Sequence, residues 1–233
     1  GTVQSLVLRQ GGVQRSVQVR GGVVMASGGF NRNPVRRSSY LPGAELGWCP
    51  GAPGHTGEAH GVAEAAGAHY GSGAMSPAFW APVSLRKRTD GSTAAFPHFV
   101  MDRAKPGMLT VNQAGERFVN ESTSYHLFGL AMQQQNADGA RAVPAYLVCD
   151  AEALRKYGLG MVRPGGKGLA PFLADGYLTS ADTLAGLATA LGIVPAALQA
   201  TVERFNQLAQ QGVDTDFQRG VTACQRNIGH PAW

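Results

Sequence analysis

The sequence is sparing with cysteine and with charge. Cys49, Cys149 and Cys224 are the three cysteines among 233 residues, and they stand far apart. No Cys-x-x-Cys and no Cys/His ligand spacing joins them, so neither a zinc module nor a disulfide framework is indicated, no metal site is expected, and a reducing cytoplasm fits. No stretch reaches the roughly 18 consecutive apolar residues of a membrane span. No secretory leader is visible. No Gly-x-Gly-x-x-Gly follows a strand-like segment, so the phosphate-cradling first βαβ unit of a dinucleotide domain is missing. The Gly-rich stretch 158–168, GLGMVRPGGKG, fails the P-loop spacing and is interrupted by Pro164; it is expected to be a mobile surface loop.

What is present supports a folded chain. Hydrophobic residues make up 44% and charged residues 15%, enough for one large or two small cores. Thirty-two glycines and 13 prolines make it rich in loops without the polarity of a disordered chain. The net charge of +5 is scattered, with clusters only at Arg36-Arg37 and Arg86-Lys87-Arg88. With no nucleic-acid motif beside them, these read as a solvated surface, and no nucleic-acid partner is expected.

Residues 2–9 and 13–20 alternate apolar and polar around Gly11-Gly12, the pattern of a β-hairpin with one face buried. Gly21 to Phe30, GGVVMASGGF, reads as a buried strand ending in small residues; on local grounds the Gly pair is a tight turn. A short helix is expected near 34–40. His55-Thr56-Gly57-Glu58 should open another, with Ala59, Val62, Ala63, Ala66 and Gly67 as a small-residue face. His60 reads as an ordinary helix-face residue. A linker is expected at 71–82, a loop at 86–90 and a strand at 96–100. Arg103 and Lys105 are expected in solvent or in an ion pair, with an anionic substrate as the alternative; together with Arg117 they are the cations the 103–117 region offers to clamp a dicarboxylate. Ala145–Asp150 reads as a strand whose last residue caps a helix over 151–157. A short strand is expected at 174–178. A helix capped by Thr179 or Ser180 should end at Gly192, and Pro195 should open a last helix with a Leu198, Val202, Phe205, Leu208 stripe.

The most informative stretch is Gly107 to Tyr125. Met108–Val111 and Arg117–Val119 flank Asn112-Gln113-Ala114-Gly115, which reads as a hairpin. Asn120, Glu121 and Ser122 supply cap and first-turn chemistry, which places Tyr125 in the first turn of a helix running toward Gln135. Arg117 has Glu121 as an expected ion-pair partner.

This VN-x-x-G-x-RF-x-NE pattern resembles the hairpin of the fumarate reductase/3-ketosteroid dehydrogenase flavoproteins. VVMASGGF resembles that family's strand and Ala-Ser/Thr-Gly-Gly-Phe turn. Thr56-Gly57-Glu58-Ala59 resembles its Thr-Gly-Asp-Gly, with a longer acid at 58 and alanine for the last glycine. The T-V-x-R-F-N and D-x-D-F-x-R-G segments near the C-terminal end resemble the close of its substrate domain. The resemblance covers nearly the whole chain.

It implies an α+β fold: a substrate (cap) domain together with part of a Rossmann-like FAD-binding domain. Residues 1–85 would be the partial FAD-binding domain, 86–222 the cap domain and 223–233 the start of the return to the FAD domain. It implies FAD in the full-length parent, lined by Ala26, Ser27, Gly28, Gly29, Thr56, Gly57 and Glu58. The chain is expected to be an internal fragment that neither holds FAD tightly nor turns over alone. Tyr125 stands where the ketosteroid dehydrogenase branch has an active-site tyrosine and the fumarate reductase branch a proton-donating arginine. The implied activity is desaturation of a carbon–carbon bond next to a ketone, with a 3-ketosteroid as a possible substrate. Reduction of an activated double bond is the first alternative, and a non-catalytic binding module the second. A tyrosine serves as base only where neighbours stabilise its phenolate, and a helix N-terminus acts in that direction.

Overall fold

The computed structural model describes residues 3–71, 73–74 and 76–229. It divides into two compact units, Gly1–Ala78 and Phe79–Trp233. Thr2 of the expected first strand, Ser72 and Met75 of the expected linker, and positions 230–233 of the expected return segment lie outside the described residues.

In the first unit β1 (Ser5–Gln10) pairs antiparallel with β2 (Val13–Gln18). The two-residue link Gly11-Gly12 has φ of +55° and +80°. Left-handed backbone at both positions is what a tight hairpin turn needs and what glycine adopts without strain. The expected buried face is not there: Val7 is 63% and Leu8 50% exposed, and they point to opposite faces. The expected strand at 21–30 is not formed either, and Val24 is 92% exposed. A strand needs a ladder partner, and the described strands of this unit pair only with each other. Helix α1 (Pro34–Tyr40) forms as expected, with Pro34 at its start and Asn33 Oδ1 accepting from Arg36 N–H at 3.0 Å. Helix α2 (Glu58–Ala65) starts after Gly57, whose φ is +77°. A Cβ on Gly57 would lie 2.7 Å from Phe30 Cβ, so backbone angle and packing both demand glycine. The expected small-residue face of α2 is open, with Val62 and Ala66 exposed.

In the second unit β3 (Val83–Lys87) pairs with β4 (Thr93–Pro97); the loop expected at 86–90 forms as the turn that links them, closed by Gly91 N–H on the Arg88 carbonyl, with Arg86 and Lys87 still in β3, and the strand expected at 96–100 lies three residues earlier. Next come α3 (Val100–Arg103) and β5 (Met108–Val111). The 112–115 turn forms, with Asn112 Oδ1 accepting from Ala114 and Glu116 N–H, both at 3.0 Å. Its second arm does not become a strand. A single bridge, Val111 to Arg117, is followed by a plunge of Arg117 and Glu121 into the interior. The strand that pairs with β5 is instead β6 (Tyr146–Cys149), which follows α4 (Tyr125–Ala137). Asp150 caps α5 (Ala151–Tyr157), accepting from Ala153 N–H at 2.7 Å. The strand expected at 174–178 is a turn after α6 (Ala170–Ala174), closed by Asp175 Oδ1 on Tyr177 N–H. Thr183 caps α7 (Leu184–Leu191), three residues later than the latest expected cap, and Gly192 ends it. Then follow α8 (Pro195–Gln211) and α9 (Ala223–Gly229).

The β5–β6 pair packs on α7 and α8 through Leu109, Val111, Val148, Ile193, Leu198 and Phe205. The expected stripe on α8 is this core, with Leu198 and Leu208 fully buried. Gly115, at φ +86°, lets the turn lie against α8, where a Cβ would come within 2.7 Å of Ile193. Thr201 Oγ1 then donates to the Gly115 carbonyl at 2.7 Å.

Candidate functional site

The polar centre of the second unit is Glu121, which is fully buried. Its Oε1 accepts from Thr110 N–H at 3.1 Å and Arg117 Nε at 2.9 Å. Its Oε2 accepts from Arg117 Nη2 at 2.8 Å and Arg219 Nη1 at 3.3 Å. Asp214 Oδ2 takes a further bond from Arg117 at 3.0 Å. Burial pushes the Asp214 carboxyl up, but the bond and charge of Arg117 and two backbone N–H groups outweigh it and leave it below the usual carboxylate range. Arg219 also donates to the Met108, Ala104 and Lys105 carbonyls. The Arg117–Glu121 pair expected from spacing is therefore one edge of a larger buried network.

Arg103 is not in solvent, and among the described residues it makes no ion pair. It is 1% exposed, lies 4.2 Å from the Phe128 ring centroid, and donates to three carbonyls: His98, Glu121 at 2.7 Å and Thr123 at 3.0 Å. Burial pulls its pKa down to about 10. Lys105 is half-buried, 5.7 Å from the centre of the Tyr157 ring.

Tyr125 is the first residue of α4 and so lies in a first turn as expected, but the helix does not start at Asn120 to Ser122: Asn120 Oδ1 accepts from Ser122 N–H at 2.8 Å in a separate turn before it. Ser124 is the cap, its Oγ accepting from Leu127 N–H at 3.2 Å. The Tyr125 side chain is 38% exposed and meets Phe99 edge-on, ring centres 5.3 Å apart. Phe99 itself is 47% exposed. Among the described residues the Tyr125 hydroxyl makes no hydrogen bond. The next residue, His126, accepts from Trp80 N–H at Nδ1 and lies edge-on to the exposed Phe79. A partly exposed phenol, whose oxygen has no hydrogen-bond partner among the described residues, thus stands beside an aromatic edge at a helix N-terminus.

A second chain of polar contacts lies behind Phe99. His98 Nε2 is 2.8 Å from Ser84 Oγ, which is 2.7 Å from the Tyr177 hydroxyl. Tyr177 accepts from Met161 N–H at 3.0 Å. His98 Nδ1 faces Asp102, whose other oxygen accepts from Gly160 N–H at 3.1 Å. Residues 158–162 of the Gly-rich stretch are therefore fixed rather than mobile. A Cβ on Gly160 would collide with Tyr177.

In the first unit a groove of about 250 Å³ lies between the 25–28 segment, α2 and residues 68–70, lined by Met25, Ser27, Gly28, Ala59, His60 and Tyr70 among others. Of the predicted cofactor residues, Ser27 and Gly28 line it. Ala26, Gly29, Thr56, Gly57 and Glu58 are not in its lining. Gly29 packs on Asn31, and Gly57 packs on Phe30 and Arg36. Thr56 Oγ1 donates to Glu58, and that bond holds the Glu58 carboxyl below its usual range. His60 is more than a face residue. Its Nε2 donates to the Gly28 carbonyl at 3.0 Å, and its Nδ1 is 2.8 Å from the Tyr70 hydroxyl, which accepts from Arg36 at 3.0 Å. A histidine following Gly57 by three residues was the only signal in sequence.

Exposed small residues and a carbonyl fixed by His60 fit the edge of a flat polar group. The volume is below the roughly 300–1,000 Å³ of complete ligand clefts, so the groove by itself would hold no more than part of a larger ligand. Among the described residues no group of three or more His, Cys, Asp or Glu is gathered for a metal, and no helix is long and apolar enough to cross a membrane.

Comparison with known proteins brings these features together. The sequence profile of the family described as FAD binding domain matches residues 1–232. A 4-oxocyclohex-2-ene-1-carboxylate 5-dehydrogenase of Sinomonas cyclohexanicum is 36% identical over 208 residues, 88% of this chain and 35% of that protein. A fumarate reductase (cytochrome) of Shewanella frigidimarina is 31% identical over 198 residues, 84% of this chain and 30% of that protein. The solved 3-ketosteroid Δ1-dehydrogenase of Sterolibacterium denitrificans, in complex with 1,4-androstadiene-3,17-dione, superposes with a TM-score of 0.80 at 32% identity, covering 99% of this chain and 42% of that one. The chain thus spans about three-tenths to two-fifths of the length of these relatives.

Proposed function

Because the chain belongs to the family of FAD binding domains, we propose that the whole protein is an FAD-dependent dehydrogenase that desaturates a ring carbon–carbon bond next to a ketone. The second unit is read as its substrate domain and the first as part of its FAD-binding domain. A small lipophilic ketone, a 3-ketosteroid among them, is the proposed substrate. A cytoplasmic setting fits three free thiols.

One observation favours this over reduction of a dicarboxylate. Of the three cations that the hairpin region offers as anion clamps, Arg103 is held by three carbonyls and Arg117 by Glu121 and Asp214, which leaves only Lys105, beside the Tyr157 ring, where a dicarboxylate needs more than one cation. What stands open is a phenol and aromatic edges, which suit an apolar ring and its carbonyl. Tyr125 is the proposed base or substrate-polarising phenol, and Phe99 packs beside the bound ring. Bound FAD supplies the acceptor for the hydride from the β-carbon. Ser27 and Gly28 would hold it in the groove, with Ala26, Gly29, Thr56, Gly57 and Glu58 the further proposed contacts. Removal of the acidic α-proton falls to this chain.

The test uses the full-length protein without oxygen. A 3-ketosteroid should bleach the flavin absorbance, and Tyr125→Phe should slow bleaching at least about 100-fold, the scale of a lost general base. Reoxidation of the reduced protein by fumarate, with no response to the ketone, would move the assignment to double-bond reduction.

A further inference from the structure

We propose that His98 is a positioning residue that fixes Phe99 against Tyr125 and so sets the rate of the proton-abstraction step; this rests on the role given to Tyr125 above. The starting point is that the Phe99 ring is half in solvent, so its place is dictated by backbone rather than by surrounding packing. Phe99 is the cap residue of α3, directly after His98. That backbone is tied on both sides. His98 N–H donates to the Pro82 carbonyl at 2.8 Å, and the His98 carbonyl accepts from Arg103 Nε at 3.2 Å. The same guanidinium holds the Thr123 carbonyl, two residues before Tyr125. One buried cation thus grips the approaches to both rings.

The His98 side chain locks the other side. One ordering of hydrogens satisfies every member of its chain. Met161 N–H donates to the Tyr177 oxygen, Tyr177 O–H to Ser84, Ser84 O–H to His98 Nε2, and His98 Nδ1–H to Asp102. These groups come from β3, α3, the 158–162 loop and the turn after α6. Losing the imidazole releases all of them from the residue that carries Phe99.

Serine, histidine and aspartate in this order would be a hydrolytic triad in another setting. Here the backbone N–H groups of Gly160 and Met161, which could have formed an oxyanion hole, are committed to Asp102 and Tyr177. The arrangement holds the neighbouring backbone still and has no site for an acyl group.

The experiment is a double-mutant cycle in the full-length FAD-loaded protein, because interacting residues show non-additive effects and independent ones do not. His98→Phe removes both ring bonds and keeps the volume. A misplacement of about 1 Å costs on the order of 10²-fold in rate, so His98→Phe is expected to lower kcat on the cyclic ketone by about 10- to 100-fold. Flavin content should hold; the thermal midpoint should fall somewhat, because Ser84 and Asp102 lose a partner, and kcat is measured well below it. In a Tyr125→Phe background the same change should have almost no further effect. Equal loss in both backgrounds, or no loss, would overturn the proposal. If Tyr125→Phe alone leaves kcat unchanged, the reading of Tyr125 fails and this inference fails with it. Should His98→Phe not fold, Tyr177→Phe, which breaks the far end of the chain, is put through the same cycle and must give the same non-additivity.

Discussion

The two units of this chain solve burial in opposite ways. The second encloses charge: Glu121, Asp214, Arg103 and Arg219 are each at most 2% exposed, and an apolar layer from β5, β6, α7 and α8 lies beside them. The first encloses almost nothing. Its hairpin is exposed on both faces, α2 has no buried residue, and its best-buried charged side chain, Arg37, is spent on the carbonyls of Asn31, Ala44 and Glu45. Alternating apolar sequence is thus necessary but not sufficient for a buried face. The covering layer must come from somewhere, and none of the described elements of the first unit supplies it.

The sharpest way to break this contrast is Glu121→Ala. It would leave Arg117 and Arg219 facing each other without their shared acid. Removing one partner of a buried ion pair costs about 3–5 kcal/mol, so denaturant unfolding of the second unit should shift by that amount. Leu198→Ala, a fully buried leucine with no polar role, should cost about 2–5 kcal/mol, measured the same way. Gly57→Ala probes the first unit where it is tightest. The left-handed backbone and the Phe30 contact should together cost at least about 1–3 kcal/mol, read by a thermal melt. Val24→Ser, at a nearly fully exposed position, should stay within about 0.5 kcal/mol. A larger loss there would mean that the first unit buries this segment after all.

Acid offers a milder test of the same contrast. The Asp214 carboxyl is depressed in the folded chain, so its contribution is complete above the ordinary aspartate value of about 3.9 and is lost as pH falls through its lower folded value. The second unit should therefore lose stability below about pH 4, and Asp214→Asn should flatten that limb in a pH series of melts. Thiol chemistry gives a further reading. Burial raises the Cys149 thiol to about 11, whereas Cys224 is exposed, so a brief alkylation near neutral pH should label Cys224 and spare Cys149.

What was legible in sequence was local. Pro34, Pro195, Asp150 and Gly192 mark helix ends by backbone chemistry that needs no distant partner, and each falls where expected. Tyr125 did fall in a first turn, although the cap is Ser124 rather than the expected Asn120 or Ser122. The family was legible because its motifs are contiguous runs. What escaped is non-local. Ser84 meets His98 across 14 residues and Tyr177 across 93, and no spacing rule joins three such positions. The second arm of the expected hairpin read as a strand because Arg117, Phe118 and Val119 have the right composition. Ion pairing of Arg117 with Glu121 and Asp214 drew that arm inward, while β6 took the edge of β5. The buried faces expected in the first unit failed for the complementary reason, since periodicity tells which side is apolar and not what will cover it.

The Glu121 network also sets an order of events during synthesis. Glu121 and Arg219 are 98 residues apart. At about 5–20 residues per second on the ribosome, the carboxylate emerges roughly 5–20 s before the arginine that completes its shell. Asp214 arrives only five residues ahead of Arg219, its own bond partner. Until residues 214–219 have been made, the Glu121 shell cannot close, so the unit can fold as a whole only at the end of that interval. Substitutions in the 214–219 loop should therefore lower the yield of folded protein more than their effect on the finished protein's stability would indicate, a difference read by comparing expression yield with denaturant unfolding.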